Sequence, residues 1–194
     1  MRDGSANEFV LRRAEAADAI CIAVLATQVF LDTYATDGIR LALAQEALET
    51  LSPAAIAQCL GRATSTVLVA ERNGHLVGFA QLTAHSEHEL VPFTAAVELN
   101  RLYVQEGFTG RGVGKALLRL AEETICASGA EGIWLTAWSR NARALAFYAR
   151  QGYADLGPTL FTVQGEQHEN RLFAKPLGVM ARPSQAQRVG LVTK

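Results

Sequence analysis

The segment that most limits the fold is Thr109-Gly110-Arg111-Gly112-Val113-Gly114-Lys115-Ala116. It stands between a strand-like run, Val97-Glu98-Leu99-Asn100-Arg101-Leu102-Tyr103-Val104, and a helical pattern. The helix has apolar or small residues at Val113, Ala116, Leu117, Leu120, Ala121, Thr124 and Ile125, and that i, i+3, i+4, i+7 spacing makes one continuous buried face. Glycine lets a backbone approach a ligand closely and turn its N–H groups inward, and the helix N-terminus adds partial positive charge. The arrangement suits a pyrophosphate, with Arg111 and Lys115 as additional cations. The competing reading is a tight strand-to-helix turn carrying solvated basic residues.

Two common phosphate motifs fail here. A Walker loop requires glycine five residues before Gly114 and a hydroxyl residue after Lys115, but Thr109 and Ala116 stand there. The dinucleotide fingerprint fails because the glycines fall at 110, 112 and 114, and the acid at about the right distance, Glu131, precedes a strand instead of following one.

The rest of the chain reads as alternating helices and strands. Residues 14–35 are helix-rich, with Ile20, Ala23, Val24 and Thr27 at helical spacing. A helix is expected over residues 41–51, and Ser52-Pro53 opens a third as cap and first-turn proline. Strands are expected at residues 66–70 and 75–83, joined by Asn73-Gly74, a two-residue hairpin turn whose members both accept positive φ. A polar stretch at 84–89 leads to a strand over 95–104. Further strands are expected at 133–137, 153–156, 161–163 and 171–175, with a helix over 142–151 stopped by Gly152. Without repeats or a linker, residues 1–177 read as one α/β domain, and residues 178–194 as a weakly patterned, mobile tail.

With 194 residues, 49% of them hydrophobic, the chain is long enough to bury a substantial core. A net charge of −1 gives no general attraction to nucleic acid or an anionic membrane. The polar N-terminus lacks a secretory apolar region, and the apolar run at residues 20–26 is short for a bilayer span, so a cytoplasmic location is expected. Cys21, Cys59 and Cys126 lie far apart without a CxxC pair and read as small apolar residues on helices.

A second motif strengthens the first. The stretch from Trp134 to Tyr153 contains Asn141, Ala144, Phe147-Tyr148 and Gly152-Tyr153. By residue type alone, Asn141 is a helix cap and the two aromatics are core. Together with the glycine turn, however, the segment resembles the GNAT acetyltransferase superfamily. Its coenzyme A signature is Gln/Arg-x-x-Gly-x-Gly/Ala between a strand and a helix; Gly112 and Gly114 match the glycines, while Thr109 departs from the first position.

The resemblance implies a mixed, mostly antiparallel sheet of about six to seven strands flanked by helices, with a splay between the two central strands. It implies acetyl-CoA as co-substrate, bound by Thr109, Gly110, Arg111, Gly112, Val113, Gly114 and Lys115, by the main chain of Leu102, Tyr103 and Val104, and by Asn141, Ala144 and Phe147. Tyr148 would donate to the departing thiolate, and one strand N–H would polarise the thioester carbonyl.

Glu98 has two readings: the base that deprotonates the acceptor ammonium, or a solvated or ion-paired carboxylate. Strand alternation puts Glu98 with Asn100 on one face and Leu99 with Arg101 on the other. The absence of a convincing Ser/His/Asp or Cys/His set fits direct transfer in a ternary complex without an acyl-enzyme. Phe30-Leu31-Asp32-Thr33-Tyr34 and Ala137-Trp138-Ser139-Arg140-Asn141 extend the resemblance to a bacterial spermidine/spermine-type branch, so the acceptor is expected to be a small polyamine-like amine. Asp32, Tyr34 and Asp37, with the loop at 85–89, are the candidate acceptor residues. Alternatives are a protein, peptide or aminoacyl acceptor, or a non-catalytic acetyl-CoA-binding module. A homodimer is common in the family. His85 and His88 lack two further placed ligands, so no metal is expected.

Overall fold

The computed structural model describes residues 9–163 and 165–178; the rest of the C-terminal tail lies outside the described residues. Strand β1 (Val10–Arg13) leads through a 3-10 turn (Ala16–Asp18) into helix α1 (Ala19–Tyr34), followed by α2 (Leu41–Thr50) and α3 (Pro53–Gly61). Three strands follow, β2 (Ser65–Arg72), β3 (His75–Ala84) and β4 (Ala96–Val104). After a second 3-10 turn (Glu106–Phe108) come α4 (Val113–Ser128), β5 (Gly132–Trp138), α5 (Ala142–Arg150), β6 (Ala154–Val163) and β7 (Glu166–Pro176). The strands form one sheet in the order β1-β2-β3-β4-β5-β7-β6, antiparallel except at β4–β5.

Local chemistry accounts for the element ends. Asn73 and Gly74 turn the β2–β3 hairpin at φ 52° and 75°, as their residue types predict. Ser52 Oγ accepts from the Ala55 N–H at 3.2 Å, with Pro53 opening α3. Gly129 and Gly152 adopt positive φ just beyond α4 and α5.

The sheet separates two apolar layers, and β2 shows the period of two: Leu68 and Ala70 face α4, whereas Val67 and Val69 face α1 and α3. Val113, Leu117, Leu118, Ala121 and Ile125 form the buried face of α4, with Ala116 and Leu120 only half-buried. Helix α4 lies close to β3 because residue 78 is glycine: a Cβ there would sit 2.9 Å from the Tyr103 carbonyl oxygen and 3.3 Å from Leu117 Cδ1.

Four features differ from the sequence expectations. Strand β1 was not anticipated; its four residues carry no clean alternation, and it is an edge strand paired with β2. The buried stripe of α1 is Ala19, Ile22, Ala23, Leu25, Ala26 and Phe30, while Ile20 and Val24 are each 65% exposed. The strands expected at 153–156 and 161–163 are one strand, β6, bent by a register shift between Asp155 and Gly157. Pro158 is tolerated there because β6 is the outermost strand. The fourth is a bulge in β4: Leu99 pairs with Leu82 and Arg101 with Gln81, so Asn100 is the extra residue. Simple alternation therefore fails. Leu99 and Leu102 share the α4 face, and Arg101 and Tyr103 turn to the α1 face with Glu98.

Residues 16–34 are long and apolar enough to cross a membrane by length and composition, more so than residues 20–26 suggested. Their inner face is nevertheless part of the core beside Val69 and Phe79. Cys21, Cys59 and Cys126 all lie on helices and are unpaired thiols.

Candidate active site

Strands β4 and β5 pair only through Ala96–Gly132, Val97–Ile133 and Glu98–Trp134. Beyond Glu98, β4 stays with β3 and β5 with β7, so a wedge opens between their C-terminal halves. The expected splay is this wedge. Its sides carry backbone groups with no ladder partner across the gap, and such groups are ready to bond a ligand arm.

A cavity of about 570 Å³ occupies one side of the wedge. Leu102, Tyr103 and Val104 line it from β4; Thr109, Gly110, Gly112, Gly114 and Lys115 from the turn and α4; Asn141, Ala144, Phe147 and Tyr148 from α5. Twelve of the residues assigned to coenzyme or catalysis thus converge on one groove. Gly110 and Gly112 hold φ of 72° and 88°, in the left-handed region that glycine occupies without strain. No side chain caps α4, whereas Ser52 caps α3 and Asn141 caps α5. The first N–H groups of a sixteen-residue helix are therefore left for another acceptor, at the end where its dipole favours an anion. The donors fit a pyrophosphate.

Two residues of the turn stand apart from the groove. Val113 is buried in the core at the foot of α4, and Arg111 lies over the Phe108 ring with its guanidinium 5.6 Å from the centroid. Asn141 spends its side-chain oxygen on the Ala144 N–H at 3.0 Å, so the capping role expected from residue type and the placement in the groove coexist.

A second cavity, of about 780 Å³, opens on the α1 and α2 side. The two cavities share Tyr34, Asn100, Arg101, Tyr103, Thr136 and Trp138, which form their common wall at the wedge. Tyr34 packs between Phe30 and Trp138 in tilted contacts, with ring centroids 5.0 and 5.4 Å away. Glu98 faces this second cavity, and Tyr148 the first. Asp32 reaches neither; it lines a smaller cleft beside Glu106, Arg140 and Arg143. Burial, and then the neighbouring phenols Tyr103 and Tyr34, push the Tyr148 pKa above the ordinary phenol value. Burial likewise raises Tyr34 against the opposing charge of Arg101.

The loop at 85–89, read from sequence as acceptor-binding or solvated, is fastened. Ser86 Oγ donates to Glu98 Oε2 at 2.7 Å, and the Trp134 indole donates to the Ser86 carbonyl at 3.1 Å. His88 lies 5.5 Å from the Trp134 indole, centroid to centroid, and meets Thr159 Oγ1 at 3.2 Å. Among the described residues no cluster of three His, Cys, Asp or Glu is placed to hold a metal.

Sequence reasoning gave no role to Thr136, Trp138, Arg101 or Asn100, although they form the wall between the cavities. Trp138 belongs to the stretch Ala137-Trp138-Ser139-Arg140-Asn141, but no signal in that stretch distinguishes a wall residue from core. Glu46, Glu166 and Glu169 join the second cavity from α2 and β7, far away in sequence.

The model of the acetyltransferase (GNAT) family matches residues 32–153, which span the wedge, the glycine turn and α5. An uncharacterized N-acetyltransferase of Mycobacterium tuberculosis is 33% identical over 120 residues, covering 62% of this chain and 72% of the relative. Among solved structures, the PaiA N-acetyltransferase of Thermoplasma acidophilum, in complex with coenzyme A, superposes with a TM-score of 0.68 at 20% identity, over 88% of this chain and 99% of the other. A putative acetyltransferase of Salmonella typhimurium, with its cofactor acetyl-CoA, gives 0.64 at 22% identity, over 92% and 99%. At such identities these two likenesses carry the fold. The family match and the relative carry the classification, and on them the chain belongs to the acetyltransferase (GNAT) family as an acetyl-CoA-dependent N-acetyltransferase.

Proposed function

We propose that the protein acetylates the primary amine of a small, polyamine-like cation by direct transfer in a ternary complex, as in the spermidine/spermine-type branch. The observation that carries this reading is the pair of cavities meeting at the wedge, one with the phosphate-suited turn and the other rich in carboxylates. Asp37, Glu46, Glu98, Glu166 and Glu169 line the second against Arg40, Arg101 and Arg140, and Arg40 is already engaged by Glu166. An excess of negative charge favours a cationic ligand.

In this reading the main-chain N–H groups opening α4 and the side chain of Lys115 hold the pyrophosphate of acetyl-CoA. The free edge of β4 at Leu102, Tyr103 and Val104 pairs with the pantetheine arm, and Asn141, Ala144 and Phe147 form the opposite lip. One β4 N–H meets the thioester carbonyl oxygen and stabilises the charge that grows on it during attack.

Glu98 takes a proton from the acceptor ammonium, because only the free amine has a lone pair to form the new C–N bond. As the C–S bond breaks, Tyr148 donates a hydrogen bond to the sulfur; its raised pKa keeps the phenol protonated at neutral pH. Tyr34 and Trp138 wall the passage through which the amine reaches the thioester. Orientation across this short path supplies much of the rate.

The test is thiol release from acetyl-CoA with a panel of polyamines, amino acids, aminoglycosides and peptides as acceptors. The expected result is turnover of polyamines above the other classes. Preference for peptides would overturn the acceptor reading, and tight acetyl-CoA binding without turnover on any acceptor would overturn the catalytic one.

A further inference from the structure

Beside Glu98 lies a serine with a hydrogen-bonding geometry that the acetyltransferase reading leaves unused. Glu98 sits at the last position of β4 that pairs with β5, in register with Trp134, immediately before the wedge opens. Its carboxylate is half-buried and borders the acceptor cavity. Ser86 Oγ holds Oε2 at 2.7 Å, a length suited to a hydroxyl donating to a charged oxygen. Among the described residues no other hydrogen bond reaches this carboxylate, which leaves Oε1 free to meet a proton from the cavity.

Ser86 is in turn held in place. Its carbonyl accepts from the indole of Trp134, which is 5% exposed and belongs to the strand beside Glu98. His88 packs at a tilt against that indole and bonds Thr159 of β6, tying the far end of the loop to the sheet. The chain enters this position through His85 at φ 58°, a left-handed conformation that few non-glycine residues adopt. A loop fastened at three points, around one hydroxyl aimed at one carboxylate, is more ordered than a solvated connection needs to be.

We infer that Ser86 is the positioning residue for Glu98: its hydroxyl fixes one carboxylate oxygen so that the other points at the acceptor nitrogen. The inference rests on the reading of Glu98 as base. Ser86 does not touch the reacting atoms. Its effect passes wholly through Glu98, and that restriction makes it testable.

The experiment is a double-mutant cycle with acetyl-CoA and spermidine as substrates. Ser86→Ala is expected to lower kcat on the order of 10-fold, with KM for acetyl-CoA unchanged, and Ser86→Thr to recover most of the loss. In a Glu98→Gln background, Ser86→Ala is expected to cause no further loss, since a residue acting through Glu98 has nothing left to position. A loss of equal size in both backgrounds would mean a structural role and overturn the inference while leaving Glu98 as base. Unchanged kcat in Ser86→Ala would overturn it as well. Full activity of Glu98→Gln would remove the base reading and the inference together, and no turnover of spermidine by the unaltered protein would count against the acceptor that both assume.

Discussion

A buried phenol with a raised pKa is a poor source of free protons but a dependable hydrogen-bond donor, and Tyr148 is such a group. Among the described residues no protein group hydrogen-bonds its hydroxyl, although its ring packs against Phe147, Tyr153 and Phe173. Removing the oxygen therefore leaves the packing intact and orphans no partner. Tyr148→Phe is expected to lower kcat on the order of 100-fold while changing the Kd for acetyl-CoA by less than about 2-fold. Steady-state kinetics beside calorimetric titration separate the two effects, and equal turnover in both proteins would remove the role given to the phenol. The residue type and its motif were legible in the sequence. A core position was also legible from residue type, but its partners Tyr153 and Phe173 were not, because they come from the turn after α5 and from β7.

Helix α4 shows how an element becomes a site. Its apolar face is locked under the sheet, so its N-terminus is fixed in space, and without a side-chain cap its first N–H groups stay available. Gly112 contributes a φ of 88° at that end, with open space where a Cβ would stand. Gly112→Glu would place a carboxylate among donors suited to phosphate and is expected to weaken coenzyme A binding at least about 10-fold, by repulsion together with loss of the anion site. Gly112→Asn is the control, because asparagine tolerates the left-handed region and adds no charge. Calorimetric titration with coenzyme A reads both variants; unchanged affinity in Gly112→Glu would contradict the site. At this scale the sequence was legible wherever period and punctuation agree, as in α4, the Asn73-Gly74 hairpin and the Ser52 cap. It failed where a single inserted residue resets a strand, as Asn100 does in β4.

On the scale of the molecule, the groove proposed for the coenzyme lies between two halves of a sheet that meet at only three residue pairs. A ligand that binds this arrangement and not the unfolded chain stabilises the fold by mass action. Coenzyme A at 100 times its Kd is expected to add about 2.7 kcal/mol, a rise in Tm of roughly 5–10 °C for a chain of this size. Thermal denaturation with and without coenzyme A measures it, and no shift would argue against a folded groove that binds the coenzyme.

The sequence by itself determined the α/β class, most of the elements, the glycine turn and the α5 motif, because each rests on spacing within a continuous stretch. Only the tertiary structure decided which side of the wedge each group serves. It placed Tyr34 at the wall and Asp32 outside it, turned Arg101 to the sheet face that carries Glu98, bonded Ser86 to Glu98, and brought Glu46, Glu166 and Glu169 to the second cavity. The physical reason is that these positions depend on how α1, α2 and the 85–89 loop pack against the sheet, on strand pairing and on a one-residue bulge, and none of these leaves a periodic mark in the chain.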